Sequence, residues 1–371
     1  MLVGVPREIK DNEYRAGLVP HSVVELVRNG HQVVVQSGLG AGIGVSDDDY
    51  RVAGAEVIAS ATEIFERADM IVKVKEPQSQ EIGMLRRGQI LFTYLHLAPD
   101  LALTQGLLQS GVTGIAYETV TSADGARPLL APMSEVAGRL AVQAGATCLE
   151  RGNGGAGILL GGVPGVQSAQ VLILGGGIVG ENAAYIAKGM GARVTILDNS
   201  VPRLRQLDNA FAGRVNCVYS THASIEKYAL ESDLVIGAVL ISGGAAPKLL
   251  TRDIIRRMKP GSVVVDVAID QGGCFETSRP TTHSAPTFVV DGVVHYCVTN
   301  MPGIVPRTST FGLNNATLPY VVKLANLGWR EALRSDPGFL RGLNVHDGIL
   351  CHEAVAQAHG LPFTTPESLV A

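Results

Sequence analysis

Four side chains stand where an apolar run gives way to polar residues, the place where open α/β sheets bind ligands. Arg15 lies in Asn12-Glu13-Tyr14-Arg15-Ala16-Gly17-Leu18-Val19-Pro20, a turn-like segment after the first apolar run. A guanidinium there can grip a carboxylate through two parallel hydrogen bonds, although an exposed surface arginine would read the same. Lys75 closes Met70-Ile71-Val72-Lys73-Val74-Lys75, and the period of two puts Lys73 and Lys75 on one strand face. A lysine at a strand end can bind a carboxylate or polarise a carbonyl; a sheet-edge lysine without chemistry is the other reading. His96 follows Ile90-Leu91-Phe92-Thr93-Tyr94-Leu95. Its ordinary pKa of about 6.5 suits proton transfer near neutrality, which oxidation of an amine or alcohol needs as hydride departs; a satisfied core histidine is the alternative. Asp270, after the apolar run 263–267, can orient a histidine or an attacking water, or simply cap a turn.

A cofactor for such an oxidation is legible further along. Val171-Leu172-Ile173-Leu174-Gly175-Gly176-Gly177-Ile178-Val179-Gly180 contains G-x-G-x-x-G. The motif follows an apolar strand and opens an Ala-rich helix, the context that gives it meaning. Gly175 permits the tight turn, Gly177 lets backbone N–H groups approach a pyrophosphate, and Gly180 lets helix and strand pack closely. Asp198 ends the next strand, about twenty residues on. Its carboxylate would accept from ribose hydroxyls and repel a 2′-phosphate, which favours NAD over NADP; a helix-capping aspartate is the plainer reading. Arg203 and Arg205 weigh the other way if they hold a phosphate, and not at all if they sit on a solvated helix face. Asn300-Met301-Pro302-Gly303 follows the last strand of this region and can touch the nicotinamide amide.

The elements that position these residues follow an alternating pattern. Strands are expected over 2–5, 32–36, 70–74, 90–94 and 114–117, with helices over 22–28, 62–68 and 101–109, which implies βα units and a mainly parallel sheet. A long Ala-rich helix covers 132–151, and a Gly-rich loop near a domain boundary covers 152–165. Six further strands, 171–174, 193–197, 215–219, 234–238, 263–267 and 295–298, make the two βαβαβ halves of a dinucleotide-binding domain. Helices over 316–327 and 329–333 leave too few strands for a third domain, so the C-terminal part is expected to return and complete the first. The fold class is therefore α/β, with two doubly wound Rossmann-like domains. A discontinuous substrate domain (1–130 and 305–371) encloses an inserted NAD domain (131–304).

Composition agrees with a large folded core: of 371 residues, 46% are hydrophobic and 17% charged, which excludes disorder. The net charge of −4, without a basic run, argues against nucleic acid. The five cysteines are scattered with no CxxC pair, which argues against a zinc ribbon or disulfide scaffold and for a reducing compartment, the cytoplasm. No signal peptide or membrane-spanning run is read.

The chain resembles the alanine dehydrogenases over essentially its whole length. The segments that carry the resemblance are Arg15–Pro20, Lys73-Val74-Lys75-Glu76-Pro77, Thr93-Tyr94-Leu95-His96-Leu97, Ala131-Pro132-Met133-Ser134-Glu135-Val136-Ala137-Gly138, the glycine motif, Asp266-Val267-Ala268-Ile269-Asp270-Gln271-Gly272-Gly273 and Asn300–Gly303. Gly17 and Val19 stand where the family pattern has Ala and Thr, and neither supplies the chemistry. The resemblance implies that Arg15 and Lys75 hold the carboxylate and oxo group of the substrate, with Met133 lining the pocket. It makes His96 the general acid/base and Asp270 its helper in the water and carbinolamine steps. Ser134, Gly175, Gly177, Ile178, Val179, Gly180, Asp198, Arg203, Ser220, Val239, Leu240, Ile269, Asp270, Arg279, Val298, Asn300 and Met301 would line the NAD site. It also implies L-alanine, pyruvate and ammonium as reactants and a homohexamer. No metal site is expected, since Lys323 and Leu327 are not a carboxylate–imidazole pair. Three rivals share the plan: the NAD-binding part of a proton-translocating transhydrogenase, a saccharopine- or opine-type enzyme, and a non-catalytic NAD sensor. The presence of both His96 and Asp270 argues against the first and the last.

Overall fold

The computed structural model describes residues 1–239 and 246–370. The chain divides into two compact units, Met1–Met133 with Gly303–Ala371, and Ser134–Pro302. The first opens with β1 (Leu2–Val5), β2 (Gln32–Gln36), β3 (Glu56–Ile58), β4 (Met70–Val72), β5 (Ile90–Thr93) and β6 (Thr113–Ala116). Runs such as Val33-Val34-Val35 are buried on both faces, as parallel strands covered by helices must be. Helices Ala61–Arg67 and Leu101–Ser110 start where Ser60 and Asp100 accept hydrogen bonds from the N–H groups of Glu63 and Leu103. Each supplies an otherwise unpaired amide with an acceptor. Their apolar faces, Ile64 and Phe65, then Leu103 and Leu107, join Ile71 and Leu91 in one core.

The second unit holds β7 (Gln170–Leu174), β8 (Arg193–Asp198), β9 (Asn216–Tyr219), β10 (Leu234–Gly237), β11 (Val263–Asp266), β12 (Thr287–Val290) and β13 (Val293–Tyr296). The Gly-rich stretch 152–165 lies within this unit rather than at its edge. The chain then returns to the first unit through the helix Pro306–Arg334 and adds β14 (Leu343–His346) and β15 (Ile349–Leu350). Among the described residues the first sheet has the order β3-β2-β1-β4-β5-β6-β14-β15 and the second β9-β8-β7-β10-β11-β13-β12. The six parallel strands of each follow the doubly wound order, which reverses between β1 and β4 and between β7 and β10. Each sheet ends in antiparallel strands: β14 and β15 in the first, β12 in the second.

Strands β3, β12, β14 and β15 are absent from the sequence expectation. Two of the omissions had a signal. The β12–β13 and β14–β15 hairpins turn on Asp291-Gly292 and Asp347-Gly348, and all four residues have positive φ. This is the Asp-Gly turn whose twist matches paired strands. The expected break between the two late helices is present within Pro306–Arg334, where Gly328 is non-helical with φ 73°.

One expectation about β4 is corrected. The strand stops at Val72, so Lys73 and Lys75 do not share a strand face. The Lys73 side chain is fully buried, its Nζ donating to Glu8 Oε2 and to Glu81 Oε1 at 2.9 Å each. Burial would depress its pKa, but the charges of the two carboxylates raise it above that of an ordinary lysine. Replacing Lys73 with Met should leave two buried carboxylates without a cation, at a cost of roughly 3–5 kcal/mol. Denaturant unfolding checks this, and a variant as stable as the parent would show that the triad does not hold the unit together.

Candidate active site

The carboxyl ends of β1, β4 and β5 in the first unit carry the residues that the sequence singled out. Arg15 is 3% exposed, so the surface reading is excluded. Its Nε donates to Glu13 Oε1 at 2.6 Å and its Nη2 to Oε2 of the same carboxylate, while Nη1 lies 3.1 Å from Met133 Sδ. Burial would lower the pKa of Arg15, yet the hydrogen bonds and charge of Glu13 raise it, so the guanidinium stays charged. The chain after Arg15 is fixed from the returning helix. Asn314 Oδ1 accepts from Val19 N–H and Ser22 Oγ at 3.0 Å, and its Nδ2 donates to the Gly17 carbonyl at 3.1 Å.

Lys75 is positioned through its backbone. Glu8 Oε1 accepts from the N–H groups of Val74 at 2.7 Å and Lys75 at 3.3 Å, and Thr93 Oγ1 donates to the Lys75 carbonyl at 3.0 Å. Burial, followed by the charge of Arg15, lowers the lysine's pKa. Arg15 is already paired with Glu13, so half-buried Lys75, its charge opposed by burial and by Arg15, is the cation that an anion would stabilise. His96 is half-exposed and stacks on Tyr94 with ring centroids 5.7 Å apart, so it is not a sealed core histidine. Its Nδ1 lies 3.2 Å from Glu76 Oε2. Burial pushes Glu76 up, but the His96 hydrogen bond and the charges of Lys75 and Lys10 outweigh it and hold this carboxyl well below the usual range. An ionised Glu76 accepts from Nδ1–H, which leaves Nε2 as the ring nitrogen available for proton transfer. The first unit thus brings Arg15, Lys75, His96 and Met133 to one sheet end.

The second unit gathers most of the remaining candidates at the carboxyl ends of its own strands. A Cβ at Gly180 would sit 1.9 Å from the Gly175 carbonyl oxygen, so only glycine allows this helix-to-turn packing. Gly175 has φ 99°, and a Cβ there would meet Ala238 O and Val239 Cγ2 at 2.9 Å. By contrast, a Cβ at Gly177 would find no atom within 4 Å, and the helix Ile178–Gly189 that starts there has no side-chain cap. Open space over uncapped N–H groups fits a pyrophosphate. Ile178 is exposed at the helix start and Val179 is buried. Asp198 closes β8, its Oδ2 accepting from Gly176 N–H at 2.7 Å and its Oδ1 from Ser200 N–H at 2.8 Å. The helix cap is Ser200 rather than Asp198. Ser220 N–H donates to the Asp198 carbonyl. Arg203 is no free phosphate holder: its Nε donates to the Gly176 carbonyl at 2.6 Å and its Nη2 pairs with Glu181.

Asp270 is exposed on the short helix Val267–Gln271. Buried Asp266 caps that helix and gathers the following loop, accepting from Ala268 N–H at 3.1 Å, Cys274 N–H at 2.9 Å and Ser278 Oγ at 2.5 Å. Ile269, Val298 and Met301 are buried, so a ligand would meet Ile269 and Val298 chiefly through their backbone. Arg279 lies over the Phe288 ring, 4.3 Å from its centroid. Asn300 has φ 54°, and Ser134 is half-buried at the start of the unit. Leu240 lies outside the described residues. The carboxylates that hold these groups, Glu8, Glu13, Glu76 and Asp266, were not singled out in the sequence. Glu13 and Asp266 lie within a few positions of Arg15 and Asp270, whereas Glu8 is 67 residues from Lys75 and Glu76 is 20 from His96, so sequence proximity could have found only the first two.

Among the described residues no three His, Cys, Asp or Glu side chains are placed to hold a metal ion, and no helix is long and apolar enough to cross a membrane. Gly180→Ala should force the turn and helix apart at a cost of roughly 1–3 kcal/mol, so NADH affinity should fall by about tenfold; fluorescence titration checks this, and an unchanged Kd would mean that the motif binds no dinucleotide. The lowered pKa of Lys75 has a sign that can be read directly. If Lys75 is the cation that meets an oxo acid, that cation is lost as pH rises through a value below that of an exposed lysine. Pyruvate affinity in an equilibrium titration should therefore weaken toward alkaline pH, with Lys75→Met removing the dependence; a flat profile in the parent would exclude the role.

Family models match the chain in two parts, "Alanine dehydrogenase/PNT, N-terminal domain" over residues 4–137 and "Alanine dehydrogenase/PNT, C-terminal domain" over 141–353. Among curated relatives, the alanine dehydrogenase of Halomonas elongata is 60% identical over 370 residues and that of Mycobacterium tuberculosis 55% identical over 371, each match covering 100% of both chains. A solved L-alanine dehydrogenase superposes with a TM-score of 0.95 at 53% identity, covering 97% of this chain and 99% of that one. The transhydrogenase of Sinorhizobium meliloti superposes with a TM-score of 0.82 at 25% identity, covering 95% and 100%. With both domain models matched in order along a chain that its relatives cover from end to end, this protein belongs to the alanine dehydrogenase/PNT family.

Proposed function

We propose that the chain is an NAD-dependent L-alanine dehydrogenase, interconverting L-alanine and water with pyruvate and ammonium. The observation that carries the reading is the pairing of a cationic substrate grip with a proton carrier in one unit. Arg15 is a buried cation and Lys75 a half-buried one, and His96 has its Nδ1 committed to Glu76, the residue next to Lys75. Relatives named alanine dehydrogenase over their full length support the same reaction.

The substrate carboxylate would bind Arg15 and Lys75, with Met133 bounding the space for a small side chain. NAD, when bound, supplies the acceptor for the Cα hydride. His96 Nε2 would take a proton from the water that hydrolyses the imino acid and return one to the departing nitrogen, with Asp270 assisting. Asp198, held by Gly176 and Ser200, would meet the ribose hydroxyls and disfavour a 2′-phosphate. Backbone N–H groups at Gly177–Val179 would hold the pyrophosphate, and Ser134, Gly175, Gly180, Ser220, Val239, Leu240, Ile269, Arg279, Val298, Asn300 and Met301 belong to the same proposed NAD site. Arg203 enters it as a brace for the Gly176 turn.

A cytoplasmic location is part of the proposal, supported by five free cysteines that suit a reducing compartment. So is a homohexamer, to which exposed Leu159, Val163 and Val166 would lend apolar surface.

Purified protein with NAD and L-alanine should produce NADH absorbance, while D-alanine, L-lysine and NADP should give little. His96→Ala should lower turnover by about 10²–10⁴-fold. Absence of signal in both directions would overturn the reaction, and hydride exchange between two nicotinamide dinucleotides without any amino acid would replace it with the coupling activity.

A further inference from the structure

His96 has a left-handed backbone, with φ 49°. A non-glycine residue keeps that conformation when its surroundings over-determine it. Two carboxylates divide the task. Glu76 meets the ring at Nδ1, 3.2 Å away. Glu118 instead meets the main chain: its Oε1 accepts from His96 N–H at 2.7 Å and from Leu95 N–H at 3.2 Å, and its Oε2 lies 3.3 Å from the same Leu95 nitrogen.

Glu118 is well placed for this. It sits on the short helix Tyr117–Thr119 that follows β6, and β6 pairs in parallel with β5, whose end leads into His96. The two strand ends are locked by Tyr94 and Tyr117, packed edge to face with centroids 5.1 Å apart. Both hydroxyls donate to carbonyls, Tyr94 to Leu129 at 2.6 Å and Tyr117 to Lys73 at 3.1 Å. The carboxylate therefore reaches from a fixed neighbour to two successive amides at the turn into the proposed proton carrier. A charged acceptor on backbone N–H is among the stronger hydrogen bonds a protein makes.

We infer that Glu118 is a positioning residue of the dehydrogenation. By holding the Leu95 and His96 amides it fixes the backbone from which the imidazole projects, while Glu76 fixes the ring. The inference rests on His96 being the proton carrier of the proposed reaction. Without Glu118 the ring loses its fixed origin, whereas Lys75, held by Glu8 and Thr93, and Arg15, held by Glu13, keep their partners. Proton transfer should suffer and substrate grip should not.

The test measures pyruvate amination by the full chain beside its His96→Ala variant. Glu118→Ala should lower kcat by on the order of 10²-fold, the scale set by a misplacement of about 1 Å, with KM for pyruvate and affinity for NADH unchanged. Glu118→Gln, which keeps an acceptor oxygen, should recover most of the rate, and amide exchange over residues 94–97 should quicken in the alanine variant only. If Glu118→Ala does not fold, Glu118→Asp carries the test: a loss of kcat at constant KM supports the inference, and parental kcat overturns it. An inactive parent, or a His96→Ala variant at full rate, overturns the reading beneath. An active parent with silent His96→Ala, and Glu118→Ala at full rate or failing in KM and kcat alike without rescue by Gln, overturns the inference alone.

Discussion

The rim of the first unit depends on one buried ion triad. Lys73 gives its ammonium to Glu8 and Glu81 where almost no water reaches. Desolvating three charges is costly, and only their mutual geometry offsets that cost. The geometry fixes more than itself, because Glu8 has a second oxygen and spends it on the amides of Val74 and Lys75. The end of β4 thus leaves its strand at a defined angle, with Lys75 toward Arg15 and Glu76 toward His96. A core built of leucines in place of the triad could hold the sheet together, but it would offer no acceptor to those amides.

The same device recurs around both sheets. Glu118 accepts the amides after β5, Asp198 those of Gly176 after β7 and Ser200 after β8, and Asp266 those of Ala268 and Cys274 after β11. Backbone N–H groups just past a parallel strand have lost their ladder partners and need acceptors. A carboxylate meets that need and also leaves negative charge at the rim, where it can orient an imidazole or a ribose hydroxyl. Construction and electrostatics of the rim are therefore carried by the same atoms. This accounts for so many acidic side chains beside Arg15 and Lys75: they are engaged with the main chain and with Lys73, Arg15 and His96.

Much of this was legible from residue order, and the exceptions have physical reasons. The glycine motif declared itself because a turn, an open approach and a close helix contact each require glycine at a set spacing. The doubly wound strands declared themselves through short apolar runs alternating with helical stretches. The two lysines of the β4 segment did not separate, since period two treats them alike and the difference lies in Glu8, distant in sequence. Arg15 could not be told from a surface arginine for a related reason: it is set beside Met133 and on the turn that Asn314 grips, both distant in sequence. The hairpins at Asp291-Gly292 and Asp347-Gly348 were visible in principle, but short flanking strands gave no alternation to draw attention to them. Arg203 was read for its charge, whereas the fold uses its reach to the Gly176 carbonyl.

The first unit is written in two pieces of chain, with the whole second unit between them. During synthesis the ribosome therefore delivers Arg15 early and Asn314, which fastens the turn behind it, only after β13 has emerged. Until then Val19, Ser22 and Gly17 lack the side chain that pins them, and the free edge of β6 awaits β14. The second unit, contiguous in the chain, can complete its core first. A nascent chain would thus complete its second unit before the turn around Arg15, and truncation ahead of Asn314 would spare the former while leaving the latter unfastened.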